Sequence, residues 1–249
     1  MSDALILRHI MSTLPGGRLL GSKLLGVLGG MGPLATVDFL HKLIEETPAR
    51  VDQDHIPVIA YSVPQIPERP PAIIGRGESP LPMMLDGVLT LKRAGAHTLA
   101  IACNTAHFWY DDLLRQGGLP ILHIADAACD GLAGRQRVGL LATQGTLAAG
   151  FYQARLHAHG IACLLPSDED QRMLVLPAIE CVKRTDLAQG HALATRAAQH
   201  LLDRGAQAII MGCTEIPPAL EYQASAVSAH CIDATRALAR ACVAWWRAP

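Results

Sequence analysis

Short apolar runs alternate with longer amphipathic segments along most of the chain, from Lys23 onward. The apolar runs are typical of buried strands, and the segments between them carry apolar residues at helical spacing. Pro33 suits the first turn of one such helix, and Gly95 suits the residue after the end of another. We expect strands over Leu24–Leu28, Ile56–Ser62 and Thr98–Ala102 and helices over Leu34–Glu46 and Met83–Ala94. Strands separated by helices indicate βαβ units and a parallel sheet.

Two stretches depart from this alternation. Pro64–Pro82 is so rich in proline and glycine that neither a helix nor a central strand fits it, and we predict a long loop. Residues 1–22 contain one apolar run, Ala4–Leu7, which is too short for a signal peptide and is followed by Arg8. We therefore interpret residues 1–22 as an N-terminal extension.

The second half of the chain repeats the pattern of the first. The strand around Gly139 resembles the strand around Gly26, 113 residues earlier, and GAQAIIMGCT resembles GAHTLAIACN at an offset of 110. Two matches at nearly the same offset favour an internal repeat. We predict two similar α/β domains of roughly 100 residues each. A chance match between short apolar strands is the alternative.

The composition is that of a globular protein. Of the 249 residues, 50% are hydrophobic and 17% are charged, which excludes general disorder. The 21 basic and 22 acidic residues nearly cancel, and this balance argues against a nucleic-acid binding protein. Because no apolar window is long enough to cross a bilayer, we also expect no membrane association.

Cysteine usage bears on compartment and on metal binding. The seven cysteines are an odd number without a CxxC pair, a pattern that fits neither a disulfide framework nor a zinc ribbon. We interpret them as reduced thiols and predict a cytoplasmic location. Cys103 and His107 form a C-x3-H pair, but no third ligand accompanies them, so we predict no metal site.

Two of these cysteines occupy equivalent places in the repeat. Cys103 directly follows a predicted strand and precedes Asn104–Thr105, and Cys213 stands in the same way before Thr214–Glu215. In a parallel sheet this point is the carboxyl edge, where ligands bind. A helix that begins after each thiol would favour the thiolate through its N–H groups and dipole. A single such cysteine is most often a core residue, but an equivalent pair points to function.

Two related domains that face each other across a cleft would place the two thiols on opposite sides of one ligand. This geometry suits the removal of a proton from one face of a carbon and the return of a proton to the other face. Since the ordinary pKa of a thiol is about 8.5, a modest shift yields one thiolate and one thiol near neutral pH. Repulsion between two thiolates favours the state that retains one proton.

Loops with glycine and threonine follow the first strand of each half. Gly29–Gly32 has neither of the common phosphate-binding spacings, and the backbone N–H groups at Met31 and Gly32 would suit a carboxylate. Thr143 and the residues after it hold the matching place in the second half. A tight turn with a helix cap is the alternative for both loops.

Seven segments together resemble the aspartate/glutamate racemases that work without pyridoxal phosphate. They are GVLGGMGPLAT, DQDHIP, VPQIPER, ACNTAH, GLLATQGT, ECVK and GCTEIP. ACNTAH and GCTE at their observed separation are the specific motifs, and the resemblance runs from about Leu24 to Ile232.

This resemblance implies two Rossmann-like α/β domains with parallel sheets, related by pseudo-twofold symmetry, with the active site in the interdomain cleft and no cofactor. It also implies that the last helix returns to the first domain. We therefore predict residues 23–119 plus 227–249 as the first domain and residues 120–226 as the second.

The resemblance also implies roles for individual residues. Cys103 and Cys213 match the two catalytic cysteines, Arg69 matches an arginine that recognises a substrate carboxylate, and Lys183 matches a lysine that assists from the other domain. The groups that hold the α-carboxylate and the ammonium match Asn104, Thr105, Thr143 and Thr214. Glu68 and Pro70–Pro71 depart from the Asp and the Thr-Ala pair usual in the family. The prolines stiffen the loop and bear on the reach of Arg69.

The sequence thus predicts an isomerase that interconverts the L and D forms of aspartate or glutamate by two-thiol proton transfer. Because related proteins are often dimers, we expect a homodimer whose other partner is its small-molecule substrate. The alternatives within the superfamily are a maleate isomerase, a decarboxylase and a hydantoin racemase. The alternative outside it is a non-catalytic amino acid binding protein.

Overall fold

Two parallel four-stranded sheets form the centre of the computed structural model, which describes residues 23–249. The predicted extension over residues 1–22 lies outside the described residues. The strands of the first sheet are β1 (Leu25–Gly29), β2 (Val58–Ser62), β3 (Thr98–Ile101) and β4 (Ile121–Leu122). Those of the second are β5 (Arg137–Ala142), β6 (Ala162–Leu164), β7 (Ala208–Gly212) and β8 (Cys231–Asp233).

Helices connect and cover these strands. The first-half helices are α1 (Pro33–Glu46), α2 (Arg69–Ile73), α3 (Leu81–Arg93), α4 (Tyr110–Gly117) and α5 (Ile124–Asp130). They are followed by α6 (Gln144–Ala149), α7 (Phe151–Ala158), α8 (Asp168–Asp170), α9 (Leu176–Lys183), α10 (Leu187–Asp203), α11 (Ile216–Glu221) and α12 (Ala234–Arg247). A π-helical turn spans Gln171–Val175, and 3₁₀ turns span Asp52–Asp54, Thr105–Trp109 and Ser228–His230. In this described part of the chain, no helix has the length and apolarity needed to span a bilayer.

The two sheets repeat one topology. Their strand orders are β2-β1-β3-β4 and β6-β5-β7-β8, and every pairing is parallel. The repeat extends to the backbone, because Gly95 before β3 and Gly205 before β7 both have a positive φ, 94° and 91°. Glycine adopts this conformation without steric cost. The predicted fold class of two Rossmann-like α/β halves is confirmed.

Each sheet is formed by four consecutive strands, and its last strand lies just beyond one of the predicted boundaries. Strand β4 follows residue 119 but pairs with β3 of the first sheet, and β8 follows residue 226 but pairs with β7 of the second sheet. Helix α12 packs against α1 and α5. The division at 119/120 and 226/227 stays a prediction.

The largest apolar cluster is shared by the two halves. It joins Leu25 and Phe39 of the first half to Leu140 and Tyr152 of the second and to Leu238 of α12. Each half also has a separate cluster on the other face of its sheet. Burial of apolar surface at this shared cluster holds the two sheets side by side.

The predicted loop over Pro64–Pro82 is wrong in two parts, because Arg69–Ile73 forms helix α2 and helix α3 already begins at Leu81. Pro70 and Pro71 lie in the first turn of α2, where backbone N–H groups have no partner within the helix, so their missing donors cost little. Helix α2 matters because it begins at Arg69, one of the predicted site residues.

Candidate active site

A cavity of about 500 Å³ lies between the two halves at the carboxyl ends of β1, β3 and β7. Every residue that the sequence analysis proposed for the site lines it. These residues are Met31, Gly32, Arg69, Cys103, Asn104, Thr105, Thr143, Lys183, Cys213 and Thr214. Their individual roles stay predictions, but the structure brings all of them together.

Cys103 is positioned by the residues just after β3. Its N–H donates to the carbonyl of Ile101 at 2.8 Å, and its own carbonyl accepts from Nδ1 of His107 at 2.9 Å. Nε2 of His107 accepts from the N–H of Ile124 at 3.3 Å, so the bonding pattern assigns the neutral Nδ1–H tautomer. Burial lowers the pKa of His107 to about 4, which agrees with a neutral ring. His107 therefore supports the backbone of Cys103 with both ring nitrogens already engaged.

The electrostatic surroundings of Cys103 are dominated by burial. The residue is 6% exposed, and this burial raises the pKa of its thiol because a thiolate would lose hydration. The positive charge of Arg69 acts in the opposite direction and favours the thiolate.

Unlike Cys103, Cys213 has a negatively charged side chain as its main charged neighbour. Its Sγ–H donates to Oε2 of Glu215 at 3.0 Å, and the hydroxyl of Thr214 donates to the same oxygen at 2.9 Å. Burial, followed by the negative charge of Glu215, raises the pKa of the Cys213 thiol well above its ordinary value, while Lys183 acts against this rise. Backbone N–H groups after each thiol do act toward the thiolate, as expected, but burial outweighs them at both, so the pKa of each thiol is raised.

Arg69 is held by backbone carbonyls. Nη1 donates to Ile66 and Pro67 at 3.1 and 3.0 Å, and Nη2 donates to Met31 at 3.0 Å. Nε is buried and has no hydrogen-bond partner among residues 23–249, none of which forms a salt bridge with this guanidinium. A positive charge fixed in place without a protein carboxylate is suited to an anionic ligand.

Three threonine hydroxyls connect the two halves at the floor of the cavity. Oγ1 of Thr105 lies 3.1 Å from Oγ1 of Thr143 and 2.9 Å from Oγ1 of Thr146. Thr143 also caps helix α6, since its Oγ1 accepts from the N–H of Thr146 at 3.1 Å. Close by, a Cβ on Gly145 would lie 2.9 Å from Cα of Pro70, so only glycine lets α6 approach α2 this closely.

Asn104 adds an unused donor. Its Oδ1 accepts from the hydroxyl of Tyr152 at 2.6 Å, which fixes the amide, and its buried Nδ2 has no partner within the described residues. Lys183 contributes from the other side, at the end of α9, and forms no salt bridge with residues 23–249. The cavity thus offers two cations and an amide donor to a ligand.

Sequence reasoning missed several contributors. Glu215 was seen only as a neighbour of Thr214, and Asp38, which also lines the cavity, had no signal beyond its place on helix α1. The roles of Tyr152 and Thr146 depend on contacts with residues 48 and 41 positions away. Thr146 had a weak signal in the repeat, whereas spacing along the chain gives none for Tyr152.

Comparisons with known sequences identify the family of this chain. A sequence profile of the Asp/Glu/hydantoin racemase family matches residues 28–242. The broad specificity amino-acid racemase RacX of Bacillus subtilis (strain 168) is 25% identical over 232 residues, which cover 90% of this chain and 99% of that protein. An uncharacterized protein from the pnlA 3′ region of Pectobacterium carotovorum subsp. carotovorum is 36% identical over 140 residues, 55% of this chain and 93% of that protein.

The three-dimensional structure is also similar to solved structures over most of the chain. The solved structure of Picrophilus torridus aspartate racemase superposes with a TM-score of 0.79 at 30% identity, over 90% of this chain and 94% of that one. The resemblance that rested on short motifs is thereby confirmed over most of the chain. The chain belongs to the Asp/Glu/hydantoin racemase family and is an isomerase of the amino acid racemase type.

Proposed function

We propose that this protein interconverts the L and D forms of an acidic amino acid without a cofactor, using Cys103 and Cys213 as the two acid–base groups. The observation that carries the proposal is the placement of these two thiols after equivalent strands of two repeated sheets, on one shared cavity. The similarity to an aspartate racemase at 30% identity supports the same substrate class. A cytoplasmic homodimer, as in many related proteins, remains part of the proposal.

In each direction, one thiolate takes the α-proton and the opposite thiol supplies one. The Cα–H bond breaks as an S–H bond forms, and the electron pair left on Cα is delocalised into the α-carboxylate. The second S–H bond then breaks as a new Cα–H bond forms on the other face. Donors fixed in advance, such as Nδ2 of Asn104 and the hydroxyl of Thr105, would stabilise the charge that develops on the carboxylate.

Cations without carboxylate partners support the preference for an acidic substrate. Arg69 and Lys183 line the cavity, and neither forms a salt bridge with residues 23–249. An acidic amino acid carries two carboxylates, and each requires a partner when it leaves water. A maleate isomerase, a decarboxylase, a hydantoin racemase and a non-catalytic binding protein are the alternatives that the experiment separates.

The test is a panel of single-enantiomer amino acids incubated with the protein in D2O and followed by proton NMR and chiral chromatography, with maleate and hydantoins as further substrates. We expect aspartate or glutamate to form its mirror image, with deuterium at Cα of the product from the first turnover. Substantial protium in early product would contradict the two-thiol mechanism. Binding without deuterium entry would indicate a binding protein.

A further inference from the structure

Asp38 is a carboxylate on the wall of the cavity that the mechanism above leaves unused. It lies on helix α1 and shares the cavity with both thiols. The other carboxylate that lines the cavity, Glu215, already accepts hydrogen bonds from Cys213 and Thr214 on one oxygen. Asp38 is therefore the carboxylate of this wall that makes no bond to the predicted catalytic residues.

A buried lysine holds Asp38 in place. Nζ of Lys42, one helical turn further along α1, lies 2.6 Å from Oδ2 of Asp38 and 2.7 Å from Oδ2 of Asp233. Lys42 is only 2% exposed, and its pKa is raised: burial lowers it, but the two carboxylates more than compensate. The short contact with this charged lysine fixes the orientation of the Asp38 carboxylate.

The second oxygen of Asp38 is free for a ligand. Oδ1 has no hydrogen-bond partner in the part of the chain that the structure describes, and the side chain is 29% exposed. The ligand side of the cavity therefore presents two cations, Arg69 and Lys183, and one carboxylate, Asp38, that no other lining residue bonds. The carboxylate of Glu215, by contrast, is already bonded to the Cys213 thiol. A molecule that matches these charges has two anionic groups and one cationic group, as an acidic amino acid does.

We propose that Asp38 accepts a hydrogen bond from the α-ammonium group of the substrate. The inference rests on the proposed function, since it assigns the place of the amine in the same cavity. The α-ammonium is the only cation of an acidic amino acid, and a charged donor leaving water requires an acceptor. Lys42 acts as a positioning residue that aims this acceptor.

The test compares two ligands that differ by the amine alone. L-aspartate and succinate both carry two carboxylates, and isothermal titration calorimetry measures the affinity of each for the wild-type protein and for Asp38→Asn. For aspartate we expect affinity to fall roughly 10- to 150-fold, as for the loss of a hydrogen bond to a charged group. Succinate should bind Asp38→Asn as well as wild type or more tightly, because a negative charge has been removed from the cavity.

A matched control comes from the same helix. Glu45 faces Arg236 and does not line the cavity, so Glu45→Gln should leave both affinities unchanged. An equal loss of both ligands by Asp38→Asn would overturn the proposal, since a general disturbance of the cavity would act on both. Unchanged aspartate affinity in Asp38→Asn would also overturn it.

Failure of the racemase proposal gives a different result. If the wild-type protein binds aspartate but no deuterium enters Cα, the two-thiol mechanism fails, whereas selective loss of aspartate affinity in Asp38→Asn still supports the assignment of the amine site.

Discussion

The two sheet edges that carry the cysteines have the same backbone arrangement but different electrostatic surroundings. Cys103 and Cys213 follow the equivalent strands β3 and β7, and both are almost fully buried. The main charged neighbour of Cys103 is the cation Arg69, whereas that of Cys213 is the anion Glu215. The repeat therefore explains why there are two thiols on one cavity, and residues that are not repeated explain why they differ.

This difference has a direct chemical meaning. Burial raises the pKa of both thiols, which favours the protonated form of each near neutral pH. Loss of one proton is easier at Cys103, where the neighbouring charge stabilises a thiolate, than at Cys213, where it opposes one. We therefore expect Cys103 to be the thiolate of the singly ionised pair.

The largest effect should come from removing either thiol. Cys103→Ala and Cys213→Ala should each lower racemisation by at least about 100-fold, the scale of a lost general acid or base. Solvent deuterium exchange at Cα should survive better in Cys213→Ala, which retains the thiol beside Arg69. Chiral chromatography and proton NMR measure the two quantities.

The controls for these variants are cysteines outside the cavity. Cys129 and Cys242 are buried and do not line it, so their replacement by alanine should change the rate little. More than a tenth of wild-type activity in either catalytic variant would remove that thiol from the mechanism.

A smaller loss is expected from Arg69→Leu, which removes the charge that distinguishes the Cys103 edge. The kcat/KM for aspartate should fall roughly 10- to 150-fold more than that for alanine, because only aspartate has a distal carboxylate left without its partner. Alanine should also lose some activity, since the Cys103 thiolate would be less favourable. Equal losses on both substrates would mean that Arg69 acts through Cys103 alone.

The smallest effect is expected from Glu215→Gln, which tests the surroundings of Cys213 through the pH dependence of kcat/KM. The kcat/KM of the wild type should trace a bell whose limbs belong to the thiol pair as a whole. Removing the negative charge beside Cys213 lowers the pKa of that thiol, so the bell should move toward lower pH. Initial rates across a pH series measure the shift.

Glu221→Gln is the matched control for this variant, because Glu221 lies outside the cavity that holds the thiols. The bell-shaped pH profile of kcat/KM for Glu221→Gln should not move. A bell that moves toward higher pH in Glu215→Gln, or does not move, would show that Glu215 does not control the ionisation of the pair.

Much of the fold follows from local pattern. The five elements predicted in the first half all exist, and Gly95 ends its helix with the expected positive φ. The offset of 110 residues between Cys103 and Cys213 identified two positions that the fold brings to one cavity. Strand periodicity and turn glycines suffice for the single elements because each acts over a few residues, and the repeat spacing relates the two halves to each other.

What could not be predicted depends on contacts between distant residues. Helix α2 was not predicted because it contains Pro70 and Pro71. Proline interrupts a helix in its interior but is tolerated in the first turn, where these two residues lie. The raised pKa of both thiols follows from burial between two halves, which no motif encodes. The orientation of Asp38 depends on Lys42, whose second partner, Asp233, lies 191 residues after it in the sequence.

That lysine has a consequence for how the chain acquires its structure during synthesis. Three residues of α1 each have one partner at or after Asp233, namely Lys42, Glu45 and Glu46, and Glu45 and Arg236 are 191 residues apart. A nascent chain whose first half has emerged from the ribosome lacks Asp233 and α12, so the Lys42 ammonium would have only Asp38 as a carboxylate partner. The first sheet therefore reaches its final electrostatic balance only after α12 has been translated and docked.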